Sequence, residues 1–192
     1  MKRVAHFLLH EVLAESPPND ALIAAWLELG FGVDVFAPEQ PRTDRYGPSV
    51  RGFRIEGGYG WRSSANGIRR LWPVGYQAFS ATAEDPFILA WGLSKLTRRP
   101  FVALLDEIKS GSYWGDRSRR WKNLIRAAIR DAGVCIVNDE SRISLVSDYA
   151  GRQGNVIVYP GAFRDPPASE RDAQRRKRGF DDSALVLGLS GG

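Results

Sequence analysis

The sequence predicts an α/β protein, a parallel sheet with helices on both faces, followed by the first strand of a second domain. Three observations predict it. Short apolar runs bounded by charge or turn residues recur along the chain, as strands buried on both faces do. Segments with helical periodicity and cap signals separate them, so that strand and helix alternate. The chain of 192 residues is 43% hydrophobic, enough for one core of ordinary size.

Arg3 to Leu9 is the first such run and reads as a buried strand. Asn19 and Asp20 cap an apolar-periodic helix through Leu29 that stops at Gly30. Val33 to Ala37 is the second strand and Gly52 to Glu56 the third. Gly57 to Trp61 is a glycine and aromatic loop, and Ser63 to Ser80 reads as an irregular helical segment interrupted at Pro73. Asp85 and Pro86 supply an N-cap carboxylate and a proline at N1 for a helix to about Arg98. Phe101 to Leu105 follows as the fourth strand. Asp116 caps a long amphipathic helix to Ala132, Val134 to Val137 is a strand, Asp139 caps a helix to Tyr149, and Val156 to Tyr159 closes the sheet. Right-handed crossovers join such parallel strands.

Pro160 to Pro167, rich in proline and small residues, marks a linker, and Ser169 with Asp172 caps a short basic helix ending near Gly179. The chain ends on an apolar strand from Leu185 that runs into Ser190-Gly191-Gly192. A strand followed by glycines opens a phosphate-cradling βα unit. A frayed tail is the alternative reading of the same residues.

Composition excludes several classes. The single cysteine, Cys135, sits in Val134-Cys135-Ile136-Val137 and reads as a small buried hydrophobe. No apolar stretch has the length of a membrane span, and no signal-type cleavage site follows Met1-Lys2-Arg3, so a cytoplasmic protein is expected. The net charge of +5 comes largely from arginines in 117–130 and 171–178, read as solvated helix faces. No nucleic-acid module accompanies them, whereas steering toward an anionic membrane or a phosphorylated donor needs none. No Cys/His metal spacing, Gly-x-Ser-x-Gly elbow or Gly-x-x-x-x-Gly-Lys loop occurs, so no metal or other cofactor is called.

In an open parallel sheet the first and fourth strands are expected to be neighbours, with ligands bound in the crevice between their C-terminal loops. The loop after the first strand offers His10, Glu15 and Ser16 but no glycine, which disfavours a dinucleotide fingerprint. His6 lies within the strand and is expected to face the core or to pack against a crossover helix. The loop Asp106 to Gly115 gathers Asp106, Glu107, Lys109, two hydroxyls, Tyr113 and Trp114. Carboxylates accept hydroxyl hydrogen bonds and flat rings stack on sugar faces, so this composition suits a polyol acceptor. The plain alternative is a surface loop in which Asp106 caps backbone N–H groups and Trp114 packs beneath.

With these residues placed, the chain resembles the N-terminal half of a GT-B glycosyltransferase, most like the retaining family 4. The likeness lies in the order of Arg3 to Leu9, Leu27-Glu28-Leu29-Gly30 before Val33 to Phe36, Asp85-Pro86-Phe87, Arg99-Pro100-Phe101-Val102, Arg120-Trp121-Lys122, Ala132 to Asp139, Val156 to Gly161 and Ala184 to Gly192. Where members often carry glycines after the first strand and a histidine after the fourth, this chain has Glu15-Ser16-Pro17-Pro18 and Asp106-Glu107, so no histidine role is carried over.

The resemblance implies a Rossmann-like acceptor-side domain at 1–162, a linker and basic helix at 163–183, and at 184–192 the start of a missing donor-binding domain. It implies hexosyl transfer from a nucleotide-diphosphate sugar to a sugar, glycan or lipid-linked acceptor, with no obligatory metal. Asp106 and Glu107 would bind or polarise the acceptor hydroxyl, His10, Glu15, Ser16, Tyr113 and Trp114 would line its site, and Ser190, Gly191 and Gly192 would meet the donor diphosphate. The fragment alone is then expected to be inactive, cytoplasmic and able to sit peripherally at the inner membrane face. The rival reading is a self-contained, non-catalytic α/β ligand-binding or regulatory domain.

Overall fold

The computed structural model describes residues 1–10, 16–105, 118–152 and 154–159. The chain divides into two units, Met1–Gly161 and Ala162–Gly192. The second unit, with the expected linker, basic helix and terminal strand, lies outside the described residues.

The first unit is a seven-stranded, wholly parallel sheet in the order β3-β2-β1-β4-β5-β6-β7. Its elements are β1 (Arg3–Phe7), α1 (Pro17–Glu28), β2 (Gly32–Ala37), β3 (Val50–Arg54), α2 (Trp61–Leu71), β4 (Ala78–Thr82), α3 (Glu84–Thr97), β5 (Phe101–Leu105), α4 (Arg119–Asp131), β6 (Val134–Val137), α5 (Ser141–Ala150) and β7 (Val156–Val158). Leu8, Val33, Val35, Ala37 and Val50 pack with Ile23 of α1 on one face. Phe7, Phe36, Phe79, Ala103 and Val137 pack with residues of α3, α4 and α5 on the other. The expected α/β sheet with helices on both faces is therefore the fold.

One strand departs from expectation and changes the topology. The segment Ser63 to Ser80, read as irregular helix, contains α2, a 3₁₀ turn at Trp72–Val74 and then β4. β4 lies between β1 and β5. Phe101 to Leu105 is thus the fifth strand and not the neighbour of β1, so the adjacency expected for the loop that follows it does not hold. The switch of direction falls between β1 and β4.

Four helix starts also differ. Ser16, not Asn19 or Asp20, occupies the N-cap of α1, with Pro17 and Pro18 opening the helix. Asp85 lies inside the first turn of α3, and Ala83 stands at the N-cap with φ +69° and ψ 165°, a region that is essentially glycine's. The N-cap of α4 is Ser118, whose Oγ accepts the Trp121 N–H at 3.3 Å; Asp116 lies outside the described residues. The N-cap of α5 is Glu140, and Asp139, one residue earlier, accepts the Ser141 N–H on its Oδ1 at 2.8 Å. Arg152, buried, closes the other end of α4 by donating to the carbonyls of Ile129 and Arg130 at 3.0 Å and of Gly133 at 3.2 Å. Cys135 is fully buried, as expected, and burial pushes its thiol up to about 11, which leaves no thiolate for chemistry.

Two polar clusters fix the central strands. At the amino edge of the sheet, the fully buried Asp34 of β2 accepts from Arg51 Nε and Nη2 at 2.8 and 2.7 Å, from Arg3 Nε at 2.8 Å and from the Tyr76 hydroxyl at 2.9 Å. Burial pushes the carboxyl up, but these donors outweigh it and hold Asp34 below the usual carboxylate range.

Nearer the carboxyl edge, His6 of β1 stands beside Ser80 of β4 in the strand register. His6 Nδ1 is 2.9 Å from Ser80 Oγ, and His6 Nε2 is 2.9 Å from Oδ1 of the buried Asn19 on α1. The same Oδ1 accepts the Thr82 hydroxyl, and Asn19 Nδ2 donates to Ser16 Oγ at 2.9 Å. An amide oxygen only accepts, so Nε2 carries the proton and Ser80 donates to Nδ1. Burial lowers the His6 pKa to about 4, which keeps the ring neutral.

Both clusters predict how stability follows pH. The unfolded chain protonates His6 near 6.5 and the folded chain only near 4, so stability is full above pH 6.5 and falls as the pH drops through that window, by on the order of 3 kcal/mol. His6→Gln should flatten that slope in urea titrations at stepped pH; an unchanged slope contradicts the assignment. Asp34, with its pKa depressed, contributes stability above the ordinary carboxylate range that is lost below it. Asp34→Ala leaves two arginines unpaired, one of them half exposed, and should cost about 2–3 kcal/mol at neutral pH, measured by denaturant melts.

Candidate functional site

In an open parallel sheet the loops at the carboxyl edge beside the switch point form a crevice. Here that crevice has a volume of about 530 Å³. The residues after β1 contribute Leu9 and His10, the end of β2 contributes Pro38, and the loop between β3 and α2 contributes Gly58, Tyr59 and Gly60. Asp85 from α3 and Trp121 from α4 complete the lining.

The wall is rigid where it is aromatic. Tyr59, 6% exposed, donates its hydroxyl to the Phe36 carbonyl at 3.1 Å, and its own carbonyl accepts from Ser64 Oγ at 3.2 Å. Burial pushes the Tyr59 phenol far above its ordinary range, so it is a fixed donor and not an acid. Gly58 sits at φ +63°, which lets the loop turn back over the sheet. Trp121 Nε1 donates to Asp85 Oδ1 at 2.7 Å and ties the first turn of α4 to that of α3. The crevice therefore combines a carboxylate, an exposed imidazole, an indole and the amino ends of two helices, which favour negative charge.

Of the residues singled out in the sequence, His10 lines this crevice, and Ser16 lies in the buried network behind it, bonded to Asn19. Glu15, Asp106, Glu107, Tyr113, Trp114, Ser190, Gly191 and Gly192 lie outside the described residues. The segment 106–117 connects the carboxyl end of β5 to α4, whose Trp121 reaches the crevice. Asp85, Tyr59 and Trp121 were missed as site residues. Asp85 looked like a helix cap, and Trp121 carried only a family likeness; a carboxylate at a βα junction opposite an indole in the next helix was the available signal. Among the described residues, no three His, Cys, Asp or Glu side chains come together as a metal site.

No protein-family model matches the sequence, and no curated protein matches it. In structure the chain is similar to HepE of Anabaena solved with UDP and glucose, with a TM-score of 0.62 at 15% identity, covering 93% of this chain and 50% of that one. It is similar to sucrose-phosphate synthase of Thermosynechococcus elongatus, TM-score 0.56 at 12% identity, covering 83% and 48%. It is also similar to a putative UDP-N-acetylglucosamine 2-epimerase of Listeria monocytogenes, TM-score 0.52 at 11% identity, covering 81% and 44%. The chain thus spans about half the length of these neighbours. At such identities the likeness is one of fold, a Rossmann-like α/β sheet matching the folds of GT-B neighbours.

Proposed function

We propose that the chain is the acceptor-side half of a GT-B glycosyltransferase, moving a hexosyl group from a nucleotide-diphosphate sugar to an acceptor hydroxyl. The observation that carries this reading is a single Rossmann-like unit with a crevice at its switch point, matching half of a protein solved with UDP and glucose. The acceptor sits against Trp121 and Tyr59, its hydroxyl facing His10 and Asp85. The ring platforms bury the apolar face of a sugar, and the carboxylate orients the attacking oxygen as charge develops on it. Asp106 and Glu107, which follow β5, add two further carboxylates to Asp85 in this proposal. The donor belongs to a partner domain that begins at 184–192, where Ser190, Gly191 and Gly192 meet the diphosphate. Family-4 membership, retention of configuration, independence of metal, a cytoplasmic setting and inactivity of the 192-residue fragment belong to the same proposal.

A second reading, epimerisation of a nucleotide-bound sugar, has one observation in its favour: a protein named as a putative UDP-N-acetylglucosamine 2-epimerase is among the fold neighbours. The two separate on the fate of the sugar. Incubating the longer polypeptide with radiolabelled UDP-glucose and a panel of saccharide and polyprenyl-phosphate acceptors should give acceptor-bound label. Label retained on the nucleotide as a new epimer would contradict transfer.

In that enzyme Asp85→Asn, Asp106→Asn and Glu107→Gln test the carboxylates separately. A group that stabilises developing charge should cost about 10²-fold in kcat/KM with melting temperatures matched to the parent. Asp85→Asn is expected to show that loss. Equal loss of activity and stability would reduce Asp85 to a helix tie.

A further inference from the structure

Helices α2 and α3 run side by side from the carboxyl edge of the sheet to its amino edge. Glycines set their separation: a methyl on Gly92 would come within 2.8 Å of Ile68 Cδ1, and one on Gly67 within 3.2 Å of Leu89 Cδ1. One turn beyond Ile68 and Gly92 lie Trp72 and Leu96. Both helices end there with large apolar side chains in solvent: Trp72 is 54% exposed, Val74 53% and Leu96 49%. Arg69, Arg70, Lys95, Arg98 and Arg99 are all exposed around them. The acid facing this group from α4 is Asp131, which pairs with Lys95 at 2.8 Å and accepts the Trp91 Nε1–H at 3.1 Å. Two turns break the chain so that the apolar tips project: Gly75 at φ +73° and Arg98 at φ +55°. Neither the crevice nor the Asp34 cluster uses these residues.

We propose that this end of α2 and α3, with the turn Trp72–Val74, docks on an anionic lipid surface. The charge pattern selects that occupant. A protein partner of average surface would leave the unpaired guanidinium groups desolvated, whereas anionic headgroups meet them while the indole and the aliphatic tips enter the interfacial layer. The surface differs from the basic face of α4, on which no large apolar side chain is exposed. It lies at the opposite edge of the sheet from the crevice, so docking leaves the crevice open.

Co-sedimentation of the 192-residue chain with vesicles tests this. The chain should pellet with mixed phosphatidylcholine and phosphatidylglycerol vesicles and stay in solution with phosphatidylcholine alone. Binding should weaken as salt shortens the Debye length from about 10 Å to about 3 Å. With about fivefold in partitioning per cation at the surface, Arg98→Gln with Arg99→Gln should lower it roughly 30-fold. Trp72→Ser with Val74→Ser should lower it as well, and Arg119→Gln with Arg120→Gln on α4 should leave it unchanged, each variant checked for a parental melting curve. Equal binding to both vesicle types, or an equal loss in the α4 variant, overturns the proposal. So does a concentration-dependent dimer that Trp72→Ser abolishes in a chain that binds no vesicle, since the patch would then join two copies.

Discussion

The hydrogen bond between His6 and Asn19 is the constraint on which the rest of the first unit depends. A central strand of a doubly covered sheet has no access to water, so any polar side chain on it must find its partner inside. His6 finds two, one on the adjacent strand and one on the helix above. Asn19 in turn holds Thr82 and Ser16, so one amide locks β1, β4 and the first turn of α1 together. These elements meet at the switch point, and the residues that leave them, His10 on one side and Asp85 on the other, face the crevice. Ala83 carries an unfavourable backbone conformation at the same junction, held by β4 before it and α3 after it.

Polarity is distributed differently at the two edges of the sheet. At the amino edge Asp34 is saturated by two arginines and a tyrosine, an arrangement that binds strands together and leaves no group for a ligand. At the carboxyl edge the indole and carboxylate of Trp121 and Asp85 bridge two helices across an open volume. A buried ion cluster suits stability and a bridged, solvent-accessible pair suits recognition, which is why the crevice and not the Asp34 cluster is assigned the chemistry.

How much of this the sequence revealed depended on which signal each element carried. β1, β2, β5 and β6 stand out because their residues are apolar on both faces. β4 does not, since Ala78, Ser80, Ala81 and Thr82 are small or hydroxylated and Pro73 and Gly75 precede them. Its hydroxyls are the partners of His6 and Asn19, so the feature that hid the strand is the one that anchors the switch point. Missing it moved β5 next to β1 and brought Asp106 to the crevice by an adjacency that β4 interrupts. The core placement of His6 and of Cys135 was readable from their apolar neighbours. The tie between Asp85 and Trp121 was not, because it joins residues 36 positions apart whose local roles, helix start and amphipathic face, were already explained.

The tautomer of His6 is the most direct measure of this constraint. Long-range nitrogen–proton NMR on the chain labelled at histidine separates the two ring nitrogens. A network of the kind described gives one ring with Nε2 protonated and Nδ1 bare, unchanged between pH 5 and 8 and converted to the Nδ1-protonated or mobile form by Asn19→Ala. A His6 ring that titrates near its ordinary value of 6.5, with both nitrogens averaging, would mean that no fixed acceptor holds it and that the switch point is not anchored there.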